Sequence, residues 1–293
     1  MRKTLLLVLL LLPLAAGAQD SLYARRLIRD LTAPGMYGRG MQRRGDSIAA
    51  AYLRAEMKAL GLRPLGDDYY QYFRFPQTRT RPPIVRAGYR SQNVVGYLPG
   101  ATDTMVVFTA HYEHLGMNGD TVFFGAHDNA SGTAAVMDLA RMAAADRRLP
   151  QRYTYVFLLF GGEEAGLVGS RHFADSPLID FHKVKLLLNL DLFCGGDEGL
   201  MVVNADSDGT RPFVDLLQAV NDRLGLTPRI GRRANAPNSD HWYLSAHCPA
   251  LFIYTLGGPY GGYHSPDDTC DGCGLGHYHR HLTLIRALLE QMP

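Results

Sequence analysis

The chain has 293 residues, with 30 Lys and Arg against 28 Asp and Glu, and four cysteines. So even a balance leaves no basic surplus to attract nucleic acid or an acidic membrane, because binding to either polyanion rests on clustered positive charge. The length exceeds what a small core needs and suits one large α/β domain.

Residues 1–18 read as a signal peptide. Arg2 and Lys3 precede an unbroken apolar run from Leu5 to Leu12, and Ala16-Gly17-Ala18 fits the small-residue cleavage pattern. The run is too short to span a bilayer comfortably. The expectation is an exported chain, periplasmic or extracellular, with no stable membrane insertion after cleavage. Loss of Arg2 and Lys3 leaves 28 basic against 28 acidic residues, and 19–293 read as one domain.

Helical spacing opens that domain, over Leu22 to Leu31 and then Asp46 to Leu60, where Ile48, Ala51, Leu53, Met57 and Leu60 recur and Gly61 follows as a stop. Aromatic and β-branched strands follow at Tyr69 to Phe75 and Gln92 to Leu98, then a buried strand at Met105 to Ala110. From there strand and helix alternate. Helices are predicted at Ser131 to Ala145, Gly166 to Phe173, Pro212 to Leu224, His241 to Ser245 and His279 to Gln291. Strands are predicted at Tyr153 to Phe160, Val184 to Leu190, Leu200 to Asn204 and Ala250 to Thr255. Runs as apolar as Val156 to Phe160 and Val184 to Leu190 require a sheet covered on both faces. The fold class is therefore α/β, with a mostly parallel, mixed central sheet between helical layers.

Export makes disulfides permissible. Cys270-Asp271-Gly272-Cys273 lacks the second C-x-x-C of a zinc ribbon and the strand-to-helix setting of a redox pair, so a local disulfide, or one from Cys248 to either of the two, is expected. Cys194 is the fourth cysteine.

In sheets of this class ligands bind beyond the carboxyl ends of the strands. Here those ends carry His111, with Tyr112-Glu113-His114 after it; Glu163 and Glu164 after Gly161-Gly162; and Asp191. The loop before Ser131 supplies Asp128, and the loop after Thr255 supplies His264. Any one of these has a plain alternative, such as Asp128 or Ser131 capping the next helix. Together His111, Asp128, Glu164, Asp191 and His264 are nitrogen and oxygen donors of the kind a catalytic zinc takes, with too few thiolates nearby for a closed structural site.

The segments Ala110-His111-Tyr112-Glu113, Gly125 to Gly132, Phe160 to Leu167, Asn189-Leu190-Asp191, Ser239-Asp240-His241 and Tyr263 to Thr269 resemble, in order, the zinc aminopeptidases of metallopeptidase clan MH, which include bacterial leucyl aminopeptidases and, more distantly, glutaminyl cyclases. That resemblance implies two zinc ions and peptide substrates. Asp128 is then the bridge, His111 and Asp191 complete one ion, and Glu164 and His264 complete the other. Glu163 is the implied general base for a metal-bridging water. Extended neighbours point to opposite sides, which lets Glu164 bind metal while Glu163 faces the water. Tyr263 matches a position where some relatives stabilise the oxyanion with a phenol, or it packs.

Two residues depart from the family pattern. Glu113 stands where Asp is usual, and its carboxylate is expected to reach the other ring nitrogen of His111. His127 stands where Asn or Asp is usual and is expected to alter the pocket rim. Asp240 and His241 read as a helix cap and a packing residue, and His277, His279 and His281 as a solvated face. The competing functions are a single-zinc glutaminyl cyclase-like acyltransferase and an inactive peptide-binding module. Retention of His111 speaks against the first, and retention of Glu163 with all five donors against the second. No feature sets the oligomeric state.

Overall fold

Strand order follows from where the chain is apolar on both sides. In the computed structural model, which describes residues 21–75, 88–145 and 147–293, every residue of Thr154–Phe160 is buried. The proposed signal peptide, 1–18, lies outside the described residues. The strands in chain order are β1 (Arg63–Pro64), β2 (Tyr70–Arg74), β3 (Arg90–Leu98), β4 (Met105–His111), β5 (Gly116–Asn118), β6 (Thr121–Phe123), β7 (Thr154–Phe160), β8 (Val184–Leu190), β9 (Gly199–Val203), β10 (Ile230–Arg233) and β11 (Ala250–Leu256). All but β5 and β6, which pair with each other, form one sheet in the order β1-β3-β7-β4-β8-β11-β9-β10, with β2 beside β1 on the free edge of β3. The middle strands β7, β4, β8 and β11 are parallel. The pairs β3–β7 and β9–β11 are antiparallel, so the sheet is mixed, as its apolar runs predict.

Helices cover both faces. Besides the helix over residues 21–31 (α1), they are α2 (Gly45–Ala59), α3 (Ser131–Ala144), α4 (Val168–Asp175), α5 (Arg211–Leu224), α6 (His241–Leu244) and α7 (Tyr278–Gln291). Strand alternation sorts the core into two halves. Val106, Phe108 and Ala110 of β4 and Phe157 and Leu159 of β7 pack with α1, α2, α3, α5 and α7. Val107, Val156, Leu158 and Phe160 pack with α4 and α6. A Val, Leu or Phe buried this way contributes ~1.5–3 kcal/mol, so polar residues inside the sheet need partners: Thr109 donates to Asn189 Oδ1 at 2.7 Å.

Several expectations change. The strands too short to carry a period, β1, β5, β6 and β10, were not foreseen. Neither Asp128 nor Ser131 caps α3; Ala130 is its N-cap, without a side-chain bond. Asp240 precedes α6 without bonding its amides either. The disulfide joins Cys194 to Cys273, Cα atoms 5.2 Å apart, and leaves Cys248 and Cys270 free. The reason is the two-sided core: Cys194 and Cys273 share one face of the sheet and Cys248 lies beneath the other.

His281 is also not solvated. Its ring is fully buried, 5.9 Å edge-on from Phe193, and neither nitrogen makes a hydrogen bond. Burial, helped by the charges of His277 and Arg280, pulls its pKa from 6.5 to about 4. Between those values the unfolded chain holds a proton that the folded one rejects, so stability is complete above pH ~6.5 and falls as the pH drops toward 4. At ~1.4 kcal/mol per tenfold change in acidity, the loss is about 3 kcal/mol. Denaturant titrations at pH 7 and pH 4.5 should show His281→Leu losing less stability than the wild type; equal losses would remove His281 from this account.

Candidate active site

The carboxyl ends of β4, β7 and β8 lie side by side, and each hands a polar residue to the same edge. His111 ends β4, Asp191 follows β8, and Glu163 and Glu164 follow β7 after the turn at Gly161 and Gly162. Asp128 reaches them from the loop before α3. That loop is held from below: Asp268 accepts the main-chain N–H of His127 at 2.7 Å and of Asp128 at 3.0 Å, and Asn129 donates to the Leu190 carbonyl at 3.0 Å. Gly125 opens it at φ +60, where a side chain would strike the Asp128 carbonyl and the His114 ring.

His111 Nε2 lies 3.2 Å from Asp128 Oδ1 and 3.4 Å from Asp191 Oδ1. On the other side, His264 Nε2 lies 3.0 Å from Asp128 Oδ2 and 3.2 Å from Glu164 Oε2. The five donors expected from the sequence thus come together, in two groups that share Asp128. A sixth residue joins them. The buried His114 places Nδ1 2.8 Å from Glu164 Oε1 and 3.9 Å from Asp128 Oδ2.

The donor atoms fit a bound cation. Asp191 Oδ1, Glu164 Oε1 and His114 Nδ1 are buried and make no hydrogen bond, although each sits close to an atom of complementary type. Lone pairs aimed at a common point rather than at one another give this pattern. His111, Asp128 and Asp191 form one candidate metal-holding set, and His114, Asp128 and Glu164 another. Their 2.8–3.4 Å close approaches suit ligands around an ion with bonds of ~2.0–2.2 Å.

The surroundings orient these groups. Ser239 donates to Asp191 Oδ2 at 2.7 Å and itself receives Asn189 Nδ2 at 2.8 Å, so Asp191 turns its other oxygen to His111. His111 Nδ1 lies 3.2 Å from the carbonyl of Glu113 and 3.6 Å from its carboxylate. The main-chain oxygen, not the carboxylate, therefore makes the bond expected of Glu113. Its longer side chain accepts the Glu164 N–H at 3.0 Å instead. His127 is buried with its ring edge-on to Tyr260 at 4.9 Å, behind the rim and not on it.

Glu163 lines a cavity of about 300 Å³ together with His111, Asp128, Asp191 and Tyr263. Glu164 faces a smaller recess on the other side, with Glu113 and His114; the two carboxylates diverge at a turn closed by the Gly166 and Leu167 N–H groups on the Glu163 carbonyl, not along the extended segment expected. Withdrawal from water pushes the Glu163 carboxyl well above its usual range; His111 opposes this, and Glu164, Asp240 and Asp191 reinforce it. Burial also lifts the neighbouring Asp240 to about 7. The Tyr263 ring stacks on His264 at 3.9 Å. Burial and the nearby carboxylates raise its hydroxyl above the ordinary value, so it keeps its proton.

With this geometry in view, the comparisons with known proteins are concordant. Residues 93–289 match the profile of peptidase family M28, and the chain belongs to that family. A probable leucine aminopeptidase of Trichophyton verrucosum is 32% identical over 224 residues, 70% of this chain and 56% of that protein. One of Arthroderma otae is 27% identical over 191 residues, 62% and 52%. The chain thus spans about half the length of these curated relatives. Among solved structures, a zinc aminopeptidase from Bacillus subtilis has a TM-score of 0.71 at 15% identity, over 92% of this chain and 96% of that one. A glutaminyl cyclase from Bacteroides thetaiotaomicron has 0.73 at 13%, over 92% and 97%. Both show the fold.

His114 is the site residue that sequence reasoning passed over, although it stands three positions after His111 at the same strand end. Its contact with Glu164 places it in one of the two groups that could hold a metal ion. Replacing it with Ala should weaken zinc binding roughly 10–100-fold in competition with a chromophoric chelator. Unchanged affinity would leave it a packing residue.

Proposed function

We propose that the chain is an exported aminopeptidase, that residues 19–293 form its catalytic domain, and that two zinc ions serve it. One observation carries this reading: Asp128 presents Oδ1 to His111 and Oδ2 to His264, so one carboxylate serves two donor groups. His111 and Asp191 would hold one ion and Glu164 and His264 the other, with Asp128 between them. Zinc in such a site polarises a carbonyl and acidifies water.

The chain's own residues supply the rest. Glu163 faces the cavity, and a carboxylate raised above its usual range is the stronger base, suited to take a proton from the attacking water and return it to the leaving amine. Tyr263 keeps an O–H that can donate to the developing oxyanion. Glu113 positions the centre, through its carbonyl on His111 and its carboxylate on the Glu164 amide. Aromatic walls from Phe252, Tyr254 and Tyr260 suit the side chains of a peptide. The Cys194–Cys273 disulfide suits an oxidising compartment, and among the described residues no helix is long and apolar enough to cross a membrane.

The purified protein should bind two zinc equivalents and lose turnover of aminoacyl arylamides to chelators. One equivalent at saturation, with activity unchanged by Asp191→Ala, would remove the two-zinc reading. Turnover of N-terminal glutaminyl peptides by cyclisation would mark an acyltransferase, and turnover of neither substrate a binding module. In Glu163→Gln, metal content and fold should persist while kcat drops roughly 10²–10⁴-fold; near-normal turnover would assign the proton to another group.

A further inference from the structure

The cavity in front of the paired donors is acidic at one end and basic at the other. Among the described residues that line it, Arg233 is the one permanent cation. Arg233 stands on the edge strand β10 beside Arg232, and strand alternation sends the two to opposite faces. Arg232 is satisfied by Asp215 at 2.6 Å and Asp206 at 3.8 Å. Arg233 has no acidic partner among the described residues; its Nη1 donates to the Tyr254 hydroxyl at 2.9 Å. Tyr254 belongs to β11, with β9 lying between it and β10. The side chain therefore lies across the sheet toward the cavity.

Spacing puts the guanidinium within reach of substrate. Asp191 follows β8, three strands from β10, or about 14 Å at ~4.8 Å per strand. By leaning back to β11, Arg233 shortens that to roughly 5–10 Å. An extended chain advances ~3.3–3.6 Å per residue, so a group two or three residue-lengths from the scissile carbonyl meets it. A guanidinium fork binds carboxylates in a bidentate manner, and the bond to Tyr254 holds it in place before substrate arrives.

Resting on the exopeptidase reading above, we propose that Arg233 makes the enzyme select substrates carrying a carboxylate close to the scissile bond. That carboxylate is either the side chain of an acidic N-terminal residue or the C-terminus of a di- or tripeptide. The substrate amine then lies at the acidic end of the cavity and its carboxylate at the basic end.

The test compares kcat/KM of the zinc-loaded wild type, Arg233→Met and Arg232→Met on two substrate pairs. One pair is glutamyl and leucyl arylamide; the other is Leu-Leu and its C-terminal amide. Melting temperatures check that the variants are folded. In the wild type, one pair should favour its carboxylate member by about 10–100-fold, the range for a hydrogen bond to a charged group. That ratio should collapse in Arg233→Met and persist in Arg232→Met, which removes the same charge outside the cavity. A preference in the first pair assigns the acidic side chain, and in the second the free C-terminus. Turnover of the neutral substrates with neither preference, or a preference that survives Arg233→Met, overturns this proposal and leaves the exopeptidase reading standing. Failure of the wild type on all four substrates overturns that reading, and this one with it.

Discussion

Negative charge concentrated at one edge of the sheet is the constraint around which this structure is arranged. Glu113, Asp128, Asp191, Asp240 and Asp268 are all buried there, and Glu163 and Glu164 flank them, facing separate recesses. Buried carboxylates are costly unless hydrogen bonds or cations offset them. Main-chain amides serve Asp268 and Glu113, and Ser239 serves one oxygen of Asp191. Oxygens of Asp128, Asp191 and Glu164 converge with nitrogens of His111, His114 and His264, in groups of the kind that can hold a metal ion.

The one fully buried arginine among the described residues belongs to the same economy of charge. Arg39 donates to the carbonyls of Leu31, Tyr112, Phe124 and Gly125 at 2.6–2.9 Å. Tyr112 lies between His111 and Glu113, and Gly125 begins the Asp128 loop, so one guanidinium ties the N-terminal helix to two segments that carry metal-type donors. It bonds carbonyls and leaves the carboxylates to the histidines. Burial lowers its pKa to about 10, with Asp268 and Asp128 opposing that fall, and it stays charged at neutral pH.

Division of labour between the two sides of the β7 end follows from backbone geometry. Glu163 faces the larger, aromatic cavity and Glu164 the smaller recess, so adjacent carboxylates meet different surroundings. The first lies where a proton can be moved, and the second is held between His114 and His264. The cavity that Glu163 lines also carries the aromatic rings of Phe252, Tyr254 and Tyr260 and the guanidinium of Arg233.

Much of the architecture was legible along the chain, because apolar runs such as Thr154 to Phe160 can be stable only inside a doubly covered sheet and because strand ends are local features. His111, Glu164 and Asp191 were visible on that basis, as polar residues directly after apolar strands. What the tertiary structure alone decided are relations between distant segments. Asp268 fixes the main chain of Asp128 across 140 residues, and Cys194 meets Cys273 because they share a face of the sheet that Cys248 does not. Glu113 serves His111 through its carbonyl because its longer side chain reaches the Glu164 amide. His114 and Arg233 could not be singled out from sequence, since each resembles any other polar residue at a strand end. Their significance lies in what packs beside them: the carboxylate of Glu164 in one case, and in the other a cavity with no second permanent cation among its described lining residues.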